Sequence, residues 1–256
     1  MHNADIAAPS APTVKVALVT GSSRGIGAAI ARRLAGDGFA VVVNYAGRVA
    51  AAEQVVRDIE AAGGRAIAVQ ADVADPAAVA ALFDRAEAAF GGVDVLVNTA
   101  GVIQPGLVPI GDTDDALFDR LTDTNFKGTF NALRLAATRV RRGGRIVNLS
   151  TSVVGLALPG YAVYAATKAA VETMTNIFAK ELRGREITVN AVAPGPTATD
   201  LFLDGKSPEQ VAHLARMAPL ERLGRPEDIA DVVSFLAGPQ GGWVNGQTLR
   251  VNGGIV

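Results

Sequence analysis

The sequence predicts an α/β domain in which a parallel sheet is covered by helices on both faces. Two observations lead there. Short β-branched runs alternate with longer alanine-rich stretches, and the runs are apolar nearly throughout, as strands covered on both faces should be. The alanine-rich stretches repeat apolar residues at helical spacing, as at Ile26, Ile30 and Leu34, and again at Val79, Leu82, Phe83 and Ala86. In chain order the predicted strands are 14–20, 39–45, 66–71, 93–98, 145–150, 187–192 and 248–251, enough for one seven-stranded sheet. Asp75 before Pro76 supplies a helix N-cap and first position. Ser207, Pro208 and Gln210 form a capping-box pattern that opens a short helix over about 208–217. A plain βα unit needs no helix there, so the region around 197–220 is expected to be a substrate lid. No linker rich in Gly, Pro or Ser divides the chain, which gives one domain over 14–256 and a loose tail over 1–13.

Composition narrows the chemistry. The chain has no cysteine and two histidines, His2 and His213, which excludes thiolate catalysis, disulfides and cysteine zinc sites. A reducing compartment, the cytoplasm, suits it, and 1–13 lack the basic start and apolar run of a signal peptide. With 24 basic and 25 acidic residues, a net charge of -1 offers no footprint for nucleic acid or an anionic membrane. Mean hydropathy is +0.27, yet no run approaches the ~20 apolar residues of a spanning helix. Only 19% of residues are charged, which favours a homo-oligomer.

Two constellations carry the functional reading. After the first strand, Thr20-Gly21-Ser22-Ser23-Arg24-Gly25-Ile26-Gly27 opens directly into a helix. Glycines there permit a tight turn, and the helix N-terminus can face a pyrophosphate. A glycine turn that binds nothing has the same local pattern, and a P-loop lysine is lacking. At the end of the second strand Asn44 and Tyr45 stand where a carboxylate would favour an unmodified ribose. Together with Arg24 and Arg48 they point to NADP(H) over NAD(H), with Asn44→Asp expected to tilt the preference toward NADH; two solvated arginines are the alternative.

The second constellation is Tyr164-Ala165-Ala166-Thr167-Lys168, whose first and last members share a helix face. A free tyrosine titrates near 10 and is a poor proton donor at neutrality. An ammonium ~5 Å away at an effective dielectric of 20 is worth roughly 3 kcal/mol, a shift of about two units. The pattern also occurs as a surface pair, but Ser152 stands just after the fifth strand at the ligand edge of a parallel sheet, with Ser150 and Thr151 as rival hydroxyls. One of them can hydrogen-bond a carbonyl as hydride arrives.

From Val14 to the C-terminus the chain resembles the short-chain dehydrogenase/reductases. The glycine stretch matches their TGxxxGxG; Asp72-Val73 resembles the adenine-binding pair; Asn98-Thr99-Ala100-Gly101 resembles NNAG, with Thr99 departing from the second Asn. Asn125, Ser152, Tyr164 and Lys168 fall where the catalytic tetrad belongs, and it is this comparison that puts Ser152 ahead of its two neighbours. Pro194, Gly195, Thr197 and Thr199 resemble the segment that touches the nicotinamide carboxamide.

The resemblance implies a three-layer Rossmann fold with strand order 3-2-1-4-5-6-7, doubly wound, and a cofactor across the C-terminal edge of the sheet. Bound there, NADP(H) is expected to contact Gly21, Ser23, Arg24, Gly25, Ile26, Gly27, Asn44, Tyr45, Asp72, Val73, Asn98, Ala100, Gly101, Tyr164, Lys168, Pro194, Gly195, Thr197 and Thr199. Tyr164 would exchange the proton; Lys168 would hold the nicotinamide ribose and lower the Tyr164 pKa; Ser152 would orient the carbonyl; Asn125 would position a water relay. No metal is implied. A homotetramer or homodimer acting on a small carbonyl or alcohol is expected. The Asn44-Tyr45 and Ser152-Val153-Val154-Gly155 segments resemble 3-oxoacyl-[acyl-carrier-protein] reductases, for which Arg139, Arg141 and Arg142 are candidate carrier-docking residues. A dinucleotide-binding regulator without turnover shares the fold, but the chain keeps both Tyr164 and Lys168.

Overall fold

Seven strands form one parallel sheet in the order 3-2-1-4-5-6-7. They are β1 Val16–Thr20, β2 Ala40–Tyr45, β3 Arg65–Gln70, β4 Val93–Asn98, β5 Val140–Leu149, β6 Thr188–Pro194 and β7 Thr248–Val251. The computed structural model describes residues 14–256, so the tail expected over 1–13 lies outside them. The helices, in order, are α1 Gly25–Gly36, α2 Val49–Ala61, α3 Pro76–Phe90, α4 Asp115–Leu121, α5 Gly128–Arg139, α6 Val153–Leu156, α7 Ala162–Glu181, α8 Asp200–Leu203, α9 Pro208–Met217 and α10 Pro226–Ala237. None of them is long and apolar enough to cross a membrane.

The period-two alternation of β1 creates the two layers. Ala17 and Val19 join one core with Ile30 and Leu34 of α1, Ile59 of α2 and Val233 of α10. Val16 and Leu18 join the other with Leu82 and Phe83 of α3, Leu133 of α5 and Phe178 of α7. Because both faces are covered, all five β1 residues are buried, which is why the sequence runs apolar without alternation. Each large side chain so removed from water contributes about 1.5–3 kcal/mol.

Caps act where the sequence places them. Asp75 Oδ1 accepts from Ala77 N at 2.8 Å, and Ser207 and Gln210 cap α9 reciprocally. β5 is the main departure: it begins at Val140, which pairs with Val93 before a register shift. The polar Arg141-Arg142-Gly143-Gly144 run hides that start, and Gly143 takes the bend at φ +76°. β6 runs to Pro194, which pairs with Val251.

The sheet reverses direction of winding at β1, whose neighbours are β2 and β4. Ligands of open parallel sheets bind at the carboxyl ends of strands beside such a switch point. That edge carries Gly21, Asn98, Ser150 and Pro194 at or just past the ends of β1, β4, β5 and β6.

Candidate functional site

The turn after β1 is shaped by distant groups. Gly21 has φ +60°, and a Cβ there would stand 2.6 Å from Ala100 Cα. Its N–H donates to Asn44 Oδ1 at 3.0 Å. Thr20 Oγ1 accepts from Thr99 N at 3.1 Å and Ala100 N at 3.2 Å, and Thr99 Oγ1 donates back to Thr20 O. Thr99 therefore fits the β1–β4 junction well despite departing from NNAG. A Cβ on Gly27 would meet Gly21 O at 2.6 Å and Thr99 Oγ1 at 2.7 Å. The N-cap of α1 is Arg24, which makes no side-chain capping bond, so the first-turn amides face outward as anion donors.

Asn44 corrects an expectation. Its side chain is 1% exposed, and besides Gly21 N it binds Val69 O at 3.3 Å and Ala71 O at 3.0 Å through Nδ2. It buttresses the turn from behind and does not face a ribose. Asn44→Asp would replace these two donor contacts by repulsion, so this substitution disturbs the turn instead of tilting the cofactor preference. Tyr45, Arg24 and Arg48 remain accessible. The two arginines share a cleft with Leu201, Leu203 and Asp204 and form no ion pair among the described residues. A close turn, free helix amides and two unpaired guanidiniums fit a dinucleotide bearing an extra phosphate.

Elsewhere along the edge the predicted residues divide. Asp72 is exposed with Oδ1 on Ala74 N at 2.9 Å, while Val73 is buried. Asn98 is structural: its Nδ2 donates to Asn148 Oδ1 at 2.8 Å, and its own buried Oδ1 has no partner. Ser23 and Ile26 are partly exposed in the turn. Gly195 N donates to Val251 O at 2.9 Å, following Pro194, whose carbonyl takes Ser152 N at 2.8 Å. Thr197 Oγ1 binds Gly195 O at 2.9 Å. Thr199 caps α8, and its Cγ2 would lie 3.4 Å from a Cβ on Gly25, so the start of the lid overhangs the cradle.

α7 brings Tyr164 and Lys168 to the end of β5. Lys168 is 4% exposed, and its Nζ donates to Leu149 O at 2.8 Å. Gly101 lies beside it: a Cβ there would be 3.4 Å from Nζ and 3.2 Å from Asn125 Oδ1. Asn125 sits in a π-turn, Thr122–Lys127, between α4 and α5. π-turns recur at functional sites. Its side chain is engaged with Val102 N at 2.8 Å, Val102 O at 2.9 Å and Thr167 Oγ1 at 3.3 Å, so it fixes the loop after β4 against α7.

Electrostatics corrects a second expectation. Burial pushes the Tyr164 phenol up, the Thr151 hydroxyl partly offsets this, and Tyr161 adds a smaller upward push. Lys168 directs its Nζ to Leu149 O. Burial lowers Lys168 itself to about 8, because a desolvated ammonium is disfavoured. Ser152 stands at the same strand end, where its Oγ donates to Ala193 O at 3.2 Å and accepts from Asn252 Nδ2 at 2.9 Å. Thr151 Oγ1 accepts from Val153 N at 3.3 Å. The contact of Asn252 with Ser152 carries no signal in the sequence, because it joins residues 100 positions apart.

Arg139, Arg141 and Arg142 lie at the opposite, amino-terminal edge of the sheet. Arg139 pairs with Asp84 at 2.6 Å and Glu87 at 2.7 Å, Arg141 with Asp94 at 3.1 Å, and Arg142 with Glu186. They do not border the site, which removes them as carrier-docking residues. His213 is exposed on α9.

Comparison with known proteins agrees with this geometry. A family described as "Enoyl-(Acyl carrier protein) reductase" matches residues 21–256. The chain is 50% identical to a short-chain type dehydrogenase/reductase of Picea abies over 94% of its length and 92% of that protein. It is 47% identical to an NADPH-dependent aldehyde reductase-like protein, chloroplastic, of Arabidopsis thaliana, over 99% of each chain. A crystal structure of a short chain dehydrogenase from Burkholderia cenocepacia J2315 in complex with NADP superposes with a TM-score of 0.88 at 41% identity, covering 94% of this chain and 97% of that one.

Proposed function

The chain belongs to the short-chain dehydrogenase/reductase family, and from that premise we propose that it transfers hydride between NADP(H) and a small carbonyl compound or its secondary alcohol. The observation that carries this reading is the convergence of Tyr164, Lys168 and a strand-end hydroxyl on the sheet edge that holds the glycine turn. When bound, NADPH supplies the hydride that adds to the carbonyl carbon. Tyr164, kept protonated by its burial, gives its proton to the oxygen that becomes an alkoxide; oxidation runs the same transfer backward. Lys168, charged below about 8, holds the ribose hydroxyls. Asn125 keeps the Gly101–Val102 segment beside Lys168.

The Arabidopsis and Burkholderia relatives, named for NADPH and NADP, support NADP(H) as the cofactor here. Arg24 and Arg48 are the residues placed to take the 2'-phosphate. Removing either to Ala is expected to weaken NADPH binding about tenfold and NADH binding little, as a charge contact worth ~1.4 kcal/mol should. Equal losses for both cofactors would reject the assignment. Ketones and aldehydes are favoured over carrier-bound 3-oxoacyl thioesters, since the basic cluster lies on the far edge. Phe202, Leu214 and Met217, half-buried in the lid, suit an apolar substrate. Assembly as a homotetramer or homodimer would cover Phe118, Phe130, Ile177 and the 99% exposed Trp243.

The direct test is consumption of NADPH with a panel of ketones and aldehydes, and of NADP with the matching alcohols. Turnover of at least one pair is expected, while binding of NADPH with no turnover of any pair would reject the oxidoreductase reading.

A further inference from the structure

Ser152 is met by a side chain from the far end of the sequence, and we propose that Asn252 is a positioning residue for the reaction, holding Ser152 Oγ so that its proton faces the substrate oxygen. This rests on the carbonyl/alcohol reading above, with Ser152 as the hydroxyl that orients the carbonyl. Asn252 Nδ2 donates to Ser152 Oγ at 2.9 Å, and Ser152 Oγ donates to Ala193 O at 3.2 Å. A hydroxyl has one proton and two lone pairs. With Nδ2 aimed at a lone pair, what Oγ offers a ligand oxygen is its proton. Ala193 O lies at the long end of hydrogen-bond range. A carbonyl oxygen that gains negative charge can therefore draw the proton away from it. A donor on Oγ also polarises the O–H bond and makes it the stronger donor.

The fold around Asn252 is built for this contact. β7 ends at Val251, which pairs with Pro194, and Gly195 N donates to Val251 O at 2.9 Å. Asn252 follows directly and lies against Gly195, where a Cβ would stand 2.8 Å from both Cα and Cβ of Asn252. Any side chain at 195 would push the amide off Ser152. Ser152 is tied to the same place by its own N–H, which donates to Pro194 O at 2.8 Å. Asn252 Oδ1 accepts from Gly254 N at 2.9 Å, closing a turn in which Gly253 and Gly254 have φ +66° and +86°. The turn decides which end of the amide faces Ser152. Its oxygen is committed to Gly254, and its nitrogen divides two N–H bonds between Ser152 Oγ and Val256 O, the latter at 3.2 Å.

In reduction, the Ser152 proton turns from Ala193 O to the carbonyl oxygen while Nδ2 stays on its lone pair. No covalent bond of Ser152 or Asn252 breaks. Asn252 acts only through Ser152, so its loss falls on the chemical step and spares cofactor binding.

The test compares Asn252→Ser and Asn252→Ala, each alone and in a Ser152→Ala background. Asn252→Ser keeps a short acceptor for Gly254 N but is too short to reach Ser152 Oγ, so it separates the turn from the contact. Asn252→Ala removes both. Reduction of a carbonyl that the wild type turns over is followed in the steady state and, for slow variants, in single turnovers, with NADPH affinity and Tm measured alongside. Each single variant should lower kcat about tenfold, with KM and the NADPH Kd within about twofold, and only Asn252→Ala should lower Tm. In the Ser152→Ala background neither should cost more than about a further twofold, because the oxygen they act through is gone. A wild-type kcat in Asn252→Ser, or the same tenfold loss in the Ser152→Ala background, overturns the Asn252 assignment while the oxidoreductase reading stands. A wild type that reduces no carbonyl overturns both.

Discussion

The turn at 20–27 is held by bonds from distant parts of the chain, whereas the lid around 197–220 is held mainly by itself. Asn44 grips Gly21 from β2, and Thr99 and Ala100 grip Thr20 from beyond β4. The lid helices α8 and α9 contain no buried residue. Their bonds are local: Thr199 to Phe202, Ser207 with Gln210, and Lys206 Nζ to Phe202 O at 2.5 Å. Long-range ties occur at the two ends, where Ala198 N reaches Gly224 O at 2.8 Å and Leu220 N reaches Gly253 O at 3.4 Å. A site for an invariant ligand part can be rigid, because its geometry never changes. A wall that must admit and release substrates is drawn from the low-stability end of the molecule.

The strongest way to break this contrast is to loosen the rigid side. Asn44→Leu removes one acceptor from Gly21 and two donors from buried carbonyls, and should destabilise the fold by about 3 kcal/mol. It should abolish NADPH and NADH binding together, read by denaturant unfolding and cofactor titration. Survival of NADH binding alone would show that Asn44 reads the ribose after all.

Lys168 offers an effect nearly as large and of opposite sign. Burial holds its folded pKa at about 8, below the ordinary lysine value of 10.5. Below about 8 both states carry the proton, and the folded state bears the full cost of a buried ammonium. Between about 8 and 10.5 the unfolded chain binds more protons, so this cost fades as pH rises. Lys168→Met should therefore raise stability at pH 7 by up to about 3 kcal/mol, less the bond to Leu149 O, and this gap should narrow by pH 10. The same variant should lose turnover. A variant less stable than the wild type at both pH values would reject the desolvation account.

The smallest effect is expected in the lid. Ser207→Ala removes the capping box of α9, worth about 1 kcal/mol. Amides over 208–217 should exchange faster and KM should shift, with the global melting temperature unchanged. A drop in that temperature would mean the lid unfolds with the sheet and not before it.

Much of this was legible in the sequence. Apolar runs gave the seven strands because both sheet faces are covered, and Asp75 and Ser207 marked helix starts because caps are local chemistry. The site was read less completely. Asn44 sits at a strand end where either face is open to it, and only the positions of Val69 O and Ala71 O show that it turns inward. The acidification of Tyr164 by Lys168 was expected from helical spacing and from the family resemblance; neither reveals that Leu149 O takes the ammonium. The β5 start was hidden by two arginines and two glycines that interrupt the apolar run.

The central claim is that Tyr164 moves the proton while the cradle only binds. Tyr164→Phe keeps the ring and removes the hydroxyl, so it tests that claim with least disturbance. Paired measurements of NADPH affinity and carbonyl reduction should give an unchanged Kd and a kcat lowered by about 1,000-fold or more. Equal turnover by wild type and variant, or binding by both with turnover by neither, would contradict it.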